Sequence, residues 1–267
     1  MKTKKISVYL ILTFGITWLC WWLLALFTNN GSLSYGTPAF MALYLLGGLA
    51  PTYTPFITLA LIGEKGDIKK YLAMVFKVKV KLLWYLIALL LPLIIHLLSF
   101  LVSYLFDNSI SLSTNVQAWY MIVPIFISMI IGGGLEELGW RGMMLPEIQK
   151  KYNATISSLI VGLVWGLWHL PLFYIIGVTQ YQGNFPVFVL TTVLFSFLFT
   201  WVFNNSKSVL MCIFLHAMFN ATVAMGFGNW TEAISANTIR IAIMIIMILF
   251  IIVFSGYKTM VKKDRIQ

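Results

Sequence analysis

Residues 82–106 read LLWYLIALLLPLIIHLLSFLVSYLF, twenty-five residues without a single charged side chain. A helix needs about twenty predominantly apolar residues to cross the hydrocarbon core of a bilayer, so this stretch is read as a transmembrane helix. Similar runs recur on both sides of it. They predict helices at about Ile6–Phe27, Pro38–Ile62, Trp119–Leu145, Ala154–Val178, Phe185–Phe203, Ser208–Phe227 and Thr238–Tyr257. The expected fold is all-α: a polytopic membrane bundle of about eight helices forming one integral membrane domain over residues 1–267. Proline adds detail within the runs. Pro51 and Pro55 predict a kink in the second helix, Pro146 closes the fourth, and Pro171 interrupts the fifth.

Composition agrees. Mean hydropathy is +0.91, 60% of residues are hydrophobic and 10% are charged. A soluble domain carries roughly 25% charged residues, so this chain has too little polar surface to cover a water-soluble globule. The net charge of +10 does not point to nucleic acid, because the basic residues lie at helix ends and in short loops. With the N-terminus in the cytoplasm, Lys2, Lys4, Lys5, the six lysines from Lys65 to Lys81, Lys150, Lys151, Lys207, Lys258, Lys262, Lys263 and Arg265 all fall inside. The opposite loops at 28–37, 107–118 and 177–184 contain no lysine or arginine. An even number of helices and two cytoplasmic termini are expected. The Lys-Thr-Lys-Lys start mimics a signal peptide, but its apolar run is long and lacks a small-residue cleavage site, so it is kept as a helix. The segment Glu64–Lys81 interleaves lysines with Tyr71, Leu72, Val75 and Phe76, as expected of a short amphipathic piece on the membrane surface. Cys20 and Cys212 sit within apolar runs and are read as small buried residues.

Ionisable residues inside spans are costly and mark function by default. Here they are Glu136, Glu137 and Arg141 in the fourth helix, His96 in the third, His169 in the fifth and His216 in the seventh, with Asn220 as a buried amide. At a rise of about 1.5 Å per residue, Glu136, His169, His216 and Asn220 lie roughly 12–23 Å along their helices, a shared level. Glu137 and Arg141 have the i,i+4 spacing of a helical ion pair, which leaves Glu136 about 100° away for chemistry. His216 and Asn220 share a face, as do Trp165 and His169. Gly132, Gly133 and Gly134 permit close helix approach or a local break. His96, outside this set, is read as a packing residue.

Such a set suits hydrolysis. A carboxylate takes a proton from water with a nearby imidazole, while a histidine and an amide facing one point stabilise an oxyanion. The alternative is a zinc ion held by Glu136, His169 and His216, although no His-Glu-x-x-His motif is present. Two other classes compete. A proton-coupled transporter also places such groups at mid-membrane but predicts inverted repeats, and none is legible. A non-catalytic immunity scaffold would leave the site unused.

Glu136-Glu137-Leu138-Gly139-Trp140-Arg141-Gly142 resembles the EExxxR motif of the CAAX prenyl protease and bacteriocin-processing family, also called Abi. Trp165-Gly166-Leu167-Trp168-His169 is similar to its second motif, with tryptophan where phenylalanine is common, and His216-Ala217-Met218-Phe219-Asn220 to its third, HxxxN. The motif core spans about 119–227. The resemblance implies an intramembrane endopeptidase, reached from the cytoplasm, acting on a membrane-associated protein or peptide. Glu136 and His169 would activate water, His216 and Asn220 would stabilise the oxyanion, and Glu137, Arg141 and Trp165 would support them. Family members have been described as both metalloproteases and metal-free glutamate peptidases, and some serve bacteriocin maturation or self-immunity. The implied partners are membrane lipids and a peptide or protein substrate, not nucleic acid.

Overall fold

The computed structural model describes residues 2–106, 116–227 and 234–261, and every regular element among them is helical. In chain order the main helices are α1 (Lys2–Asn29), α2 (Pro38–Gly48), α3 (Ala50–Ile62), α4 (Asp67–Val75), α5 (Leu82–Phe106), α6 (Ile122–Ile131), α7 (Ala154–Trp168), α8 (Phe185–Ser206), α9 (Val209–Ala224) and α10 (Ile234–Ser255). Among the described residues six stretches are long and apolar enough to cross a membrane. The pair α2–α3, bent by 52°, makes a seventh. The remaining apolar helix, α9, has only 16 residues. The expected bundle of about eight helices is borne out. The loop at 107–115 and the basic tail from Lys262 onward lie outside the described residues.

The chain forms two compact units, Met1–Val75 with Leu138–Phe197, and Phe76–Glu137 with Leu198–Gln267. In the first unit α1 packs along α2 and α3. The break between α2 and α3 follows from Pro51, which lacks the N–H that would bond back to the Gly47 carbonyl. That carbonyl instead accepts from the Thr17 hydroxyl of α1 at 2.7 Å, so the freed group is satisfied inside the protein. Gly47 also lets the two helices close up: a Cβ there would lie 2.8 Å from Trp21 Nε1. Thr13 and Thr54 share a second buried hydrogen bond of 2.7 Å. As expected, the lysine-rich segment contains an amphipathic helix, α4. Its Tyr71 and Val75 are buried, while Lys69 and Lys70 are exposed.

In the second unit α9 packs against α5 and α6, and α10 against α5. Eleven of the sixteen residues of α9 are buried. The ends of α8 and α9 are tied down locally. Ser208 Oγ donates to the Lys77 carbonyl at 2.7 Å, and Lys77 Nζ donates to the Ser206 carbonyl at 3.0 Å. Asn204 and Asn205 donate to the carbonyls of Thr259 and Met260 at 2.9 and 2.8 Å. His96 is buried on α5, and both cysteines are buried and reduced.

The fourth predicted helix departs from expectation. It is not one continuous helix to Leu145. The α6 helix stops at Ile131; a 3₁₀ turn spans Gly134–Glu136, an α turn Glu137–Gly139, a π-helical stretch Trp140–Met144, and a last α turn Leu145–Ile148. Nor does Pro146 close it, because the proline sits in the first turn of that terminal piece, where its missing N–H costs little. In the fifth helix the interruption at Pro171 is borne out. The α7 helix ends at Trp168, and a 3₁₀ turn, Leu170–Tyr174, follows.

Candidate active site

In the second unit, the break after α6 is set by Gly133, whose φ of +149° is a conformation that side-chain-bearing residues rarely adopt. The place a Cβ on Gly133 would occupy lies 2.3 Å from Asn220 Nδ2 and 3.0 Å from His216 Nε2. Two nitrogens of α9 therefore face one small volume that only glycine leaves open. Asn220 Nδ2 also donates to the Gly132 carbonyl at 3.2 Å, which fixes the amide's orientation. Gly134 brings the chain against α9 as well, with 3.0 Å between its Cβ position and the Ile213 carbonyl.

The next two residues are differentiated by burial. Glu137 is fully buried, and its Oε1 lies 3.0 Å from His216 Nδ1. A carboxylate only accepts, so Nδ1 carries the proton and donates to it. Glu136 is half-buried. Between Glu137 and Arg141, the expected i,i+4 pair, the backbone changes from α to π spacing at Trp140. An imidazole 79 residues away is a further neighbour of the carboxylate. Phe199 covers the His216 ring, with centroids 5.7 Å apart.

In the first unit, His169 ends α7. Its Nδ1 lies 2.8 Å from the Trp165 carbonyl, which can only accept, so Nδ1 donates to it. The imidazole is 8% exposed and ringed by aromatics: Trp168 at 4.6 Å, Phe188 at 4.9 Å and Trp165 at 5.9 Å between centroids. The expected wall from Trp165 is present, but it is one side of a box. Trp168 Nε1 donates to Thr17 Oγ1 at 2.9 Å, and Trp18 Nε1 donates to the Trp168 carbonyl at 3.1 Å. Arg141 is fully buried, its guanidinium 5.2 Å from the Trp165 ring centroid, within cation–π range.

Two tyrosines that carry no motif brace the same segment. A Cβ on Gly139 would lie 2.1 Å from the Tyr9 hydroxyl, and one on Gly142 would lie 2.9 Å from Tyr71 Cε2. Tyr71 also donates from its hydroxyl to the Leu138 carbonyl at 2.9 Å, and its burial pushes the phenol pKa upward. Trp140, also fully buried, meets the edges of Tyr9 and Trp168 at 6.0 and 5.8 Å. These partners are more than fifty residues from the motif in sequence, and a single tyrosine in a lysine-rich stretch gives no signal by which to find them.

Among the described residues no three His, Cys, Asp or Glu side chains are grouped to hold one ion. The Nδ1 atoms of both histidines are engaged by a carboxylate and a carbonyl.

Comparison with known proteins converges on the same residues. Residues 117–222, which contain all three motifs, match the family described as type II CAAX prenyl endopeptidase Rce1-like. The chain is 29% identical over 230 residues to CAAX prenyl protease 2 of Methanococcus maripaludis, covering 80% of this chain and 82% of that protein. It is 24% identical to lysostaphin resistance protein A of Staphylococcus haemolyticus, covering 97% of this chain and 71% of that protein. The resemblance carried by the motifs is borne out: the segment that holds them is similar to the Rce1-like CAAX prenyl endopeptidases, and the chain is a membrane-embedded protease.

Proposed function

We propose that this protease hydrolyses a peptide bond with a water molecule activated by Glu136 and His169. His216 and Asn220 receive the oxyanion. The observation that carries the reading is the pair of α9 nitrogens, His216 Nε2 and Asn220 Nδ2, facing one volume above Gly133. An oxyanion needs donors at about 2.7–3.1 Å, held in place before charge develops. The buried Glu137 carboxylate stabilises the imidazolium of His216, so that Nε2–H donates to the developing charge. Asn220 supplies its second N–H.

Glu136 takes a proton from water, and the hydroxide adds to the scissile carbonyl carbon. The tetrahedral intermediate then collapses as the same proton passes to the departing amine. His169 suits a partner role, because its Nδ1 is tied to Trp165, so that in the neutral ring Nε2 is the acceptor. Arg141 and Glu137 hold the segment between them: the chain passes from one compact unit to the other at the Glu137–Leu138 peptide bond, inside the motif itself.

The substrate class this supports is a membrane-associated protein or peptide, approached from the cytoplasmic side. The lysine distribution supports that orientation, with both termini in the cytoplasm. Glu136→Gln tests the reading. Peptide termini compared between cells carrying wild-type and variant protein should include a cleavage product found only with wild type. Identical termini in both strains, with the variant present at the same level in the membrane, would remove Glu136 from the chemistry.

A further inference from the structure

Apart from the brace that Tyr71 supplies, the lysine-rich connection between α3 and α5 has no role in the peptidase site, yet it forms a cleft of about 570 Å³. Leu59, from the end of α3, and Ile68 and Leu72, one helical turn apart on α4, supply its apolar lining. Lys65 and Lys69, also four residues apart, supply its cationic lining, and Glu64 is the one carboxylate among the lining residues. Gly63 leaves no side chain in the way, and a Cβ there would lie 2.2 Å from the Leu59 carbonyl.

Charge within this segment is arranged so that the lysines stay uncompensated. The Asp67 carboxylate is turned to Lys5 Nζ at 2.5 Å and to the Glu64 backbone N–H at 2.9 Å. Neither Lys65 nor Lys69 has an ion-pair partner among the described residues. Tyr71 and Val75, beside Ile68 and Leu72 on the same stripe of α4, are buried in the protein, so the cleft rests on an anchored helix. Because the segment joins two consecutive candidate spans, it lies where the bilayer meets water.

We infer that this cleft is a binding site for one anionic phospholipid, whose phosphate is held by Lys65 and Lys69 and whose upper acyl chain lies on Leu59, Ile68 and Leu72. An apolar floor beneath a pair of ammonium groups matches the two chemistries of such a lipid, and long lysine stems adapt to the phosphate's height. The inference is independent of the peptidase mechanism.

The test uses the full-length protein in phosphatidylcholine nanodiscs titrated with phosphatidylglycerol, with bound lipid counted by native mass spectrometry. The variants are Lys65→Gln with Lys69→Gln, and, as an equal loss of charge outside the cleft, Lys79→Gln with Lys81→Gln. Each lysine at a membrane surface contributes about fivefold to anionic-lipid affinity, so the cleft variant should bind about 25-fold more weakly. The control pair should stay near wild type. Equal weakening in both pairs would mean diffuse charge and overturn the site. A second arm adds inorganic phosphate. A lipid site with an acyl contribution keeps its phosphatidylglycerol, whereas displacement of the lipid by millimolar phosphate would also overturn it.

Discussion

Gly133→Ala is the sharpest test of the site geometry. The added methyl carbon would fall 2.3 Å from Asn220 Nδ2 and 3.0 Å from His216 Nε2, so the amide has to rotate away. That rotation also breaks the 3.2 Å bond to the Gly132 carbonyl, which now orients it. Alanine at φ +149° stores a further strain of about 1–3 kcal/mol, so a modest loss of stability accompanies the change. Loss of one oxyanion donor costs about 10²–10³ in kcat, equivalent to roughly 3–4 kcal/mol, and the methyl group intrudes on the oxyanion's own space. The expected result is therefore a fall in kcat of at least about 100-fold with little change in KM. The assay is the initial rate on a peptide whose wild-type-only cleavage has been mapped, using protein checked for monodispersity and thermal unfolding. Asn220→Ala provides the cycle: if both changes act through one donor, the double variant is barely worse than either single one. A folded Gly133→Ala protein with kcat within threefold of wild type would refute the argument that His216 and Asn220 serve the oxyanion.

Glu137→Gln keeps the shape of the buried side chain but removes the charge beside His216 Nδ1, so kcat should fall by about 100-fold while the folded protein is retained; undiminished turnover would show that His216 does not act as an imidazolium donor. Tyr71→Phe keeps the ring against Gly142 but deletes the 2.9 Å bond to the Leu138 carbonyl. It should lower stability by about 1 kcal/mol and reduce kcat more than it raises KM, as measured by thermal unfolding and steady-state rates; an effect on KM alone would mean that the hydroxyl does not position the glutamate segment.

The bundle was legible because each span had to hide its backbone from lipid, which forces long apolar runs that no other fold requires. The break between α2 and α3 was legible for an equally local reason, since a proline removes a donor wherever it stands. Less could be read where tertiary contacts decide. The glycine run before Glu136 announced either close approach or a break, and the structure uses it for both, Gly134 for the first and Gly133 for the second. Spacing alone gave no sign of the π-helical stretch from Trp140, nor of the His216 imidazole beside Glu137, because both depend on contacts with distant parts of the chain. The residues that brace the site were invisible. Tyr71, Tyr9 and Thr17 carry ordinary sequence contexts, and their roles arise from contacts across 67 to 151 positions of chain. Trp168 is fully buried and forms one wall of the box around His169, a role that its place in the second motif does not announce.

The shortness of α9 bears on how the protein is made. Sixteen residues rise about 24 Å, less than the roughly 30 Å of hydrocarbon, and the helix carries a histidine and an asparagine. Such a segment partitions poorly from the translocon by itself, and it becomes stable in the bilayer through burial against α5 and α6. The donors meant for the oxyanion therefore enter lipid as part of folding rather than before it. On the mechanism proposed above, a chain in which α9 has not yet docked would lack its oxyanion donors, so the hydrolytic site would be completed by the packing of that one short helix.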